Sequence, residues 1–317
     1  MSSMMTHLPS RTKITEVTTA KPWLLVLMVD ESHSMQADWG GTKRRMSDIV
    51  EQAVNQLLYD MALNYNTSSG LDEDSVSDRI HLRLLVYSGD GDVYDPIPMS
   101  NGSSYMRATG DEGWVQNYSD VHPYPSSKGD VEVPRWLQLD PHGRTPMLAA
   151  FRIARRAVEQ HIEEYPDSFP PVVLNISDGE PTDCGKPIDW ELLLSECDSI
   201  RSLGAGENQP IVCNVHLDPE GRAPPSLYPS EPPQAGGIES GLWEASSTIP
   251  AHIAPLIPTA GVGDPEGRRF FVYNSNVIHF HEFLQFSTML VQKSPNQNGE
   301  IRGGPRPAVL DVEFEEE

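Results

Sequence analysis

A chain of 317 residues with 38% hydrophobic content is long enough for one α/β domain with insertions, and its 28 prolines and 24 glycines commit much of it to turns and loops. The formal net charge of −23 argues against the basic surface that nucleic acid or an anionic membrane requires, and it suits cation capture and basic protein partners. Cys184, Cys197 and Cys213 are odd in number and lack close pairing spacing, which opposes a disulfide framework or a zinc ribbon and predicts free thiols in a reducing compartment.

Residues 1–21 carry no apolar signal core and read as a loose leader. Trp23–Val29 is a continuous apolar run, far too short to span a bilayer, and it fits a strand buried on both faces of a parallel sheet. A cytoplasmic protein is therefore expected. Asp30-Glu-Ser-His-Ser34 follows at the C-terminal end of that strand. Ile49, Ala53, Val54, Leu57, Leu58 and Met61 recur at three- and four-residue intervals and predict a helix over 45–63. Residues 67–78 form a polar linker. Alternation over 80–87 predicts a second strand, Ser88–Asp92 a turn, and 93–97 an edge strand.

Residues 98–140 mix Gly, Ser, Pro and aromatics without a period. They read as an insertion, either packed over one face or forming a functional loop. Gly143-Arg-Thr-Pro146 then starts a helix, with Thr145 expected at the N-cap and Pro146 at the first helical position. Pro171–Ile176 is a buried strand closed by Ser177-Asp-Gly179. Further elements are predicted as a helix (189–203), a strand (211–217), a Pro-rich loop (218–237), a helix (239–256), a strand (269–273) and a last helix (276–291). The tail 292–317 reads as disordered and acidic. The alternation predicts one domain over 22–291. Its expected fold is a doubly wound, mostly parallel sheet flanked by helices, Rossmann-like, with one antiparallel edge strand.

Three polar segments fall at predicted strand ends or helix starts: Asp30-x-Ser32-x-Ser34, Thr145 within Gly-Arg-Thr-Pro, and Asp178 within Ser-Asp-Gly-Glu-Pro-Thr-Asp183. In open α/β sheets that edge is where ligands bind. Two carboxylates and three hydroxyls make an all-oxygen set, which suits Mg²⁺, Mn²⁺ or Ca²⁺ over zinc or copper. Neutral hydroxyls leave the cation under-neutralised and able to take an outside carboxylate. The alternating Asp-x-Ser-x-Ser spacing turns His33 away from such a centre.

These three segments, in this order, resemble the metal-ion-dependent adhesion site of von Willebrand factor A domains, over roughly 22–290. Asp-Glu-Ser-His-Ser-Met35, Gly-Arg-Thr-Pro-Met147 and the 177–183 segment are similar to bacterial intracellular members of the tellurite-resistance-associated type. The resemblance implies that Ser32, Ser34 and Thr145 bind the ion directly, while Asp30 and Asp178 act directly or through water. It also implies that a partner protein supplies a Glu or Asp as the last ligand. By the same resemblance the chain is a regulatory or scaffold component beside a kinase, phosphatase or ATPase in a stress or defence system. Neither nucleic acid nor membrane is an expected partner.

Other signals are weaker. Glu31, Glu180 and Asp183 crowd the same rim, where they either tune the centre or touch a partner, or are solvated loop acids, the reading preferred, with Thr182 and Asp183 capping the next helix. His279-x-His281 diverges on a helix and predicts packing. Asp90, Asp92 and Asp95 lack the glycine and late glutamate of a calcium loop. No Gly-rich phosphate loop and no Gly-x-Ser-x-Gly elbow is present. Two alternatives to the binding module remain: a metal-assisted hydrolase, and a metal-independent scaffold acting through the insertion or the tail.

Overall fold

The computed structural model describes residues 17–39, 42–67, 76–97, 99, 103–110, 113–124, 130–218, 226–233, 237–257, 264–273 and 283. The leader before residue 17, the predicted helix over 276–291 apart from the buried Phe283, and the tail fall outside the described residues.

The chain is a mixed α/β protein built on a seven-stranded, mostly parallel sheet. Its strands are β1 (Trp23–Asp30), β2 (Ile80–Ser88), β3 (Asp92–Tyr94), β6 (Val172–Ser177), β7 (Ile211–His216), β8 (Ser226–Leu227) and β9 (Phe271–Tyr273), in the order β3-β2-β1-β6-β7-β9-β8. A separate antiparallel ribbon joins β4 (Asp120–Tyr124) to β5 (Val131–Arg135). The five central strands run parallel, and β3 and β8 are antiparallel at the two edges, one edge strand more than the sequence pattern predicts. The second was missed because β8 is two residues long and lies in the Pro-rich loop.

All eight residues of β1 are buried because both faces of the sheet are covered. Trp23, Leu25, Leu27 and Val29 join one core with helix α1 (Met46–Met61). Leu24, Val26 and Met28 join the other with α2 (Met147–Glu164), α3 (Trp190–Arg201) and α4 (Ile238–Ala245). Cys184, Cys197 and Cys213 are buried, unbridged thiols in these cores, and burial pushes the Cys197 thiol up to about 12.

The insertion packs over the α1 face. Met106 pairs with Leu82 of β2, and Trp114 donates its indole N–H to the Ile80 carbonyl at 2.8 Å. Asn55 of α1 closes the far end: its Oδ1 accepts the backbone N–H groups of Trp136 and Leu137 at 2.8 and 2.9 Å, and its Nδ2 donates to the Leu137 carbonyl and the Tyr124 hydroxyl. One buried amide thus stands in for a strand partner, which is why no period marks this region.

α4 stops at Ala245, short of the predicted 256. Ser247 pairs its backbone with Val212 and Phe270 on the sheet, and Pro250 keeps the helix from resuming.

Candidate metal centre

β1 lies between β2 and β6 in the sheet. The carboxyl ends of β1 and β6 lie side by side, with Val29 paired to Ile176. Asp30 is the last residue of β1, and Asp178 follows the last residue of β6. Ser34 lies in a short 3₁₀ turn, His33–Gln36, directly after Ser32. Thr145 arrives from the far side on the loop leading into α2.

The five predicted ligand residues come together. Ser32 and Ser34 hydroxyls are 3.0 Å apart, and the Ser34 hydroxyl donates to Asp178 Oδ1 at 2.8 Å. Asp30 Oδ1 accepts the Ser32 backbone N–H at 2.8 Å, which curls the turn back on the strand end. A methyl group added at Gly179 would lie 3.2 Å from Thr145 Oγ1, 3.7 Å from Asp30 Oδ2 and 3.8 Å from Ser34 Oγ. Three side-chain oxygens from distant segments therefore border one small space that glycine keeps open. Ser32 is buried, while His33 and Ser34 are both exposed.

Both carboxylates are buried, and both are raised. Asp30 rises from 3.8 to about 7, first through burial and then through the charge of Asp178, against the lowering pull of Ser177 and Ser32. Asp178 rises to about 6 through burial, opposed by Ser34. Asp178 is 8% exposed and its Oδ2 is buried with no hydrogen-bond partner among the described residues. A buried carboxylate oxygen left without a donor is costly, and a cation is one way to satisfy it.

Thr145 does not cap α2. Its backbone exchanges hydrogen bonds with Thr182, and Pro146 takes the N-cap position with no side-chain bond. The cap comes from Asp183, which accepts the Leu148 and Ala149 N–H groups at 3.1 and 2.8 Å. Asp183 thus caps the preceding helix rather than the next, whose N-cap is Asp189. Glu180 is exposed.

Two residues escaped the sequence pattern. Ser177 donates to Asp30 Oδ2 at 2.5 Å and accepts the Gly179 N–H at 3.0 Å, which joins the two strand ends. Its only signal was its place beside Asp178. Glu31 is 1% exposed and fully engaged, rather than a solvated loop acid.

No family model matches the chain, and no curated protein matches it. Among solved structures it is similar to the pilus adhesin SpaC from Lactobacillus rhamnosus GG, at 12% identity and a TM-score of 0.45, over 87% of this chain and 31% of that one. That likeness is too slight to carry an argument. Among the described residues no group of three or more His, Cys, Asp or Glu side chains is placed to hold a metal.

These findings overturn the resemblance to von Willebrand factor A domains and to their tellurite-resistance-associated members. The motif that suggested it has a local reason of its own. Asp-x-Ser after a parallel strand closes a turn by the Asp30–Ser32 bond, and the hydroxyls then satisfy one another and Asp178. The stress or defence role rested on that resemblance and has no separate support. No helix among the described residues is long and apolar enough to cross a membrane.

Proposed function

We propose that the chain is a protein-binding module in which a hard divalent cation, Mg²⁺ by preference and Mn²⁺ or Ca²⁺ as substitutes, joins it to an acidic residue of a partner protein. Ser32, Ser34 and Thr145 would hold the ion with their hydroxyls, and Asp30 and Asp178 would hold it directly or through water. The set has two carboxylates and three hydroxyls. Hard oxygens suit these ions, and two carboxylates leave little surplus negative charge to repel a third from outside. In this reading the sheet is doubly wound and the ion sits at its switch point.

The observation that carries the reading is the buried, unpartnered Asp178 Oδ2 beside the small space ringed by Thr145, Asp30 and Ser34. On a surface of net charge −23, a bound cation would reverse the sign locally and admit an acidic group that the bare protein repels. Titration calorimetry of the full chain with Mg²⁺ and Mn²⁺ tests this, with Ser32→Ala/Ser34→Ala as the control. Saturable binding that the double variant loses supports the module. Equal heats from both proteins would remove its basis.

A further inference from the structure

Glu31 sits between two of the proposed ligands, Asp30 and Ser32, yet its carboxylate bonds to neither. Its Oε1 accepts the Asp140 backbone N–H at 2.7 Å and the Tyr94 hydroxyl at 2.9 Å. Its Oε2 lies 3.0 Å from the same hydroxyl and accepts from Ser88 at 3.3 Å. The main chain is equally committed: the Glu31 N–H donates to the Tyr87 carbonyl at 3.0 Å, and the Glu31 carbonyl accepts the His142 N–H at 2.8 Å.

One residue therefore ties the turn after β1 to β2, to the edge strand β3 and to the 139–142 segment. That segment runs directly into Thr145. The serine turn and Thr145 are more than a hundred residues apart in sequence, so only such cross-links fix the distance between their oxygens. A second tie lies alongside, where the His33 N–H donates to the Gly143 carbonyl at 3.2 Å and Gly143 packs on Gly89 with no room for a Cβ.

We infer that Glu31 is the positioning residue of the metal centre, setting the gap between the Ser32–Ser34 turn and Thr145 through its bonds to Asp140, Tyr94 and Ser88. The inference rests on the proposed function. A buried carboxylate is costly unless donors surround it, and here those donors come from the segments whose spacing matters. Outer groups that orient metal ligands commonly change affinity by about 10–100-fold when removed.

The test uses the full chain and Mn²⁺ alone, followed by calorimetry and by the spectrum of bound Mn²⁺ in electron paramagnetic resonance. Glu31→Gln keeps the length and removes the charge. Glu31→Asp keeps the charge and removes the reach. Tyr94→Phe cuts a single tie. The expected result is a fall in Mn²⁺ affinity of about 10–100-fold in both Glu31 variants, with an altered spectrum, and a smaller fall in Tyr94→Phe. Wild-type affinity in Glu31→Asp would overturn positioning in favour of charge acting through space. Lower melting temperatures with unchanged affinity and spectrum would reduce Glu31 to a structural role. Absence of Mn²⁺ binding by the wild type would sink the proposed function itself, a result separable from either of these.

Discussion

Replacing Asp178 with Asn should stabilise the metal-free protein and abolish its response to metal. Burial pushes the Asp178 carboxyl from 3.8 to about 6. That rise corresponds to about 3 kcal/mol of stability lost at neutral pH, because the folded state must hold a charge that the unfolded chain solvates freely. Asn keeps an oxygen for the Ser34 hydroxyl and cannot ionise. It also removes the charge that, after burial, does most to raise Asp30. The sign with pH is fixed. The folded pKa lies above the unfolded one, so the wild type suffers nothing below about pH 4, loses stability as pH rises through about 6, and carries the full penalty above it. The advantage of the variant should therefore be small near pH 3.5, build up between about pH 4 and 6, and reach about 1–3 kcal/mol near pH 7.5, or about 2–4 °C of melting temperature per kcal/mol. Calorimetric melting at both pH values, with and without millimolar Mg²⁺, measures it. Mg²⁺ should raise the wild-type melting temperature and leave the variant unchanged. A variant less stable than wild type at neutral pH, or one that Mg²⁺ stabilises equally, would refute the reasoning.

Other positions give independent checks. Gly179→Ala places a methyl group 3.2 Å from Thr145 Oγ1 and should weaken Mn²⁺ binding, with little change in unfolding midpoint; titration calorimetry decides. Asp183→Ala removes a side chain that caps α2 and should cost about 1 kcal/mol in denaturant unfolding, while Thr182→Ala should leave that cap intact. Asn55→Ala strands three backbone groups of Trp136 and Leu137 and should cost about 2–4 kcal/mol, with faster amide exchange concentrated at 131–137. His161 is lowered to about 3, first by burial and then by His81, so the unfolded chain takes up its proton first. Its contribution is complete above about pH 6.5 and is lost as pH falls, and His161→Phe should flatten that part of the acid-unfolding curve.

The central sheet was legible because its strands are buried on both faces, which writes them as apolar runs such as Trp23–Val29 and Val172–Leu174. That Asp30, Ser32, Ser34 and Asp178 lie close together was legible too, since short polar segments directly after such runs are placed by the strands themselves. The insertion was not. Its order comes from Asn55 and from two indole N–H bonds, contacts across long sequence separations that leave no local pattern. Glu31 was misread for a related reason. A glutamate in a loop looks solvated until the donors from Tyr94, Ser88 and Asp140 are brought to it by the fold. Likewise the acid of Ser-Asp-Gly-Glu-Pro-Thr-Asp183 that caps a helix caps α2, because the loop after β6 folds back over that helix's first turn.

The measurement closest to the central claim is an anomalous-scattering map from crystals of the full chain grown or soaked with Mn²⁺. The account predicts a single strong peak at the carboxyl ends of β1 and β6, about 2–2.5 Å from the hydroxyl oxygens of Ser32, Ser34 and Thr145, with water or a neighbouring carboxylate filling the open side. A structure with those five side chains in place and no peak among them, at saturating Mn²⁺, would contradict it.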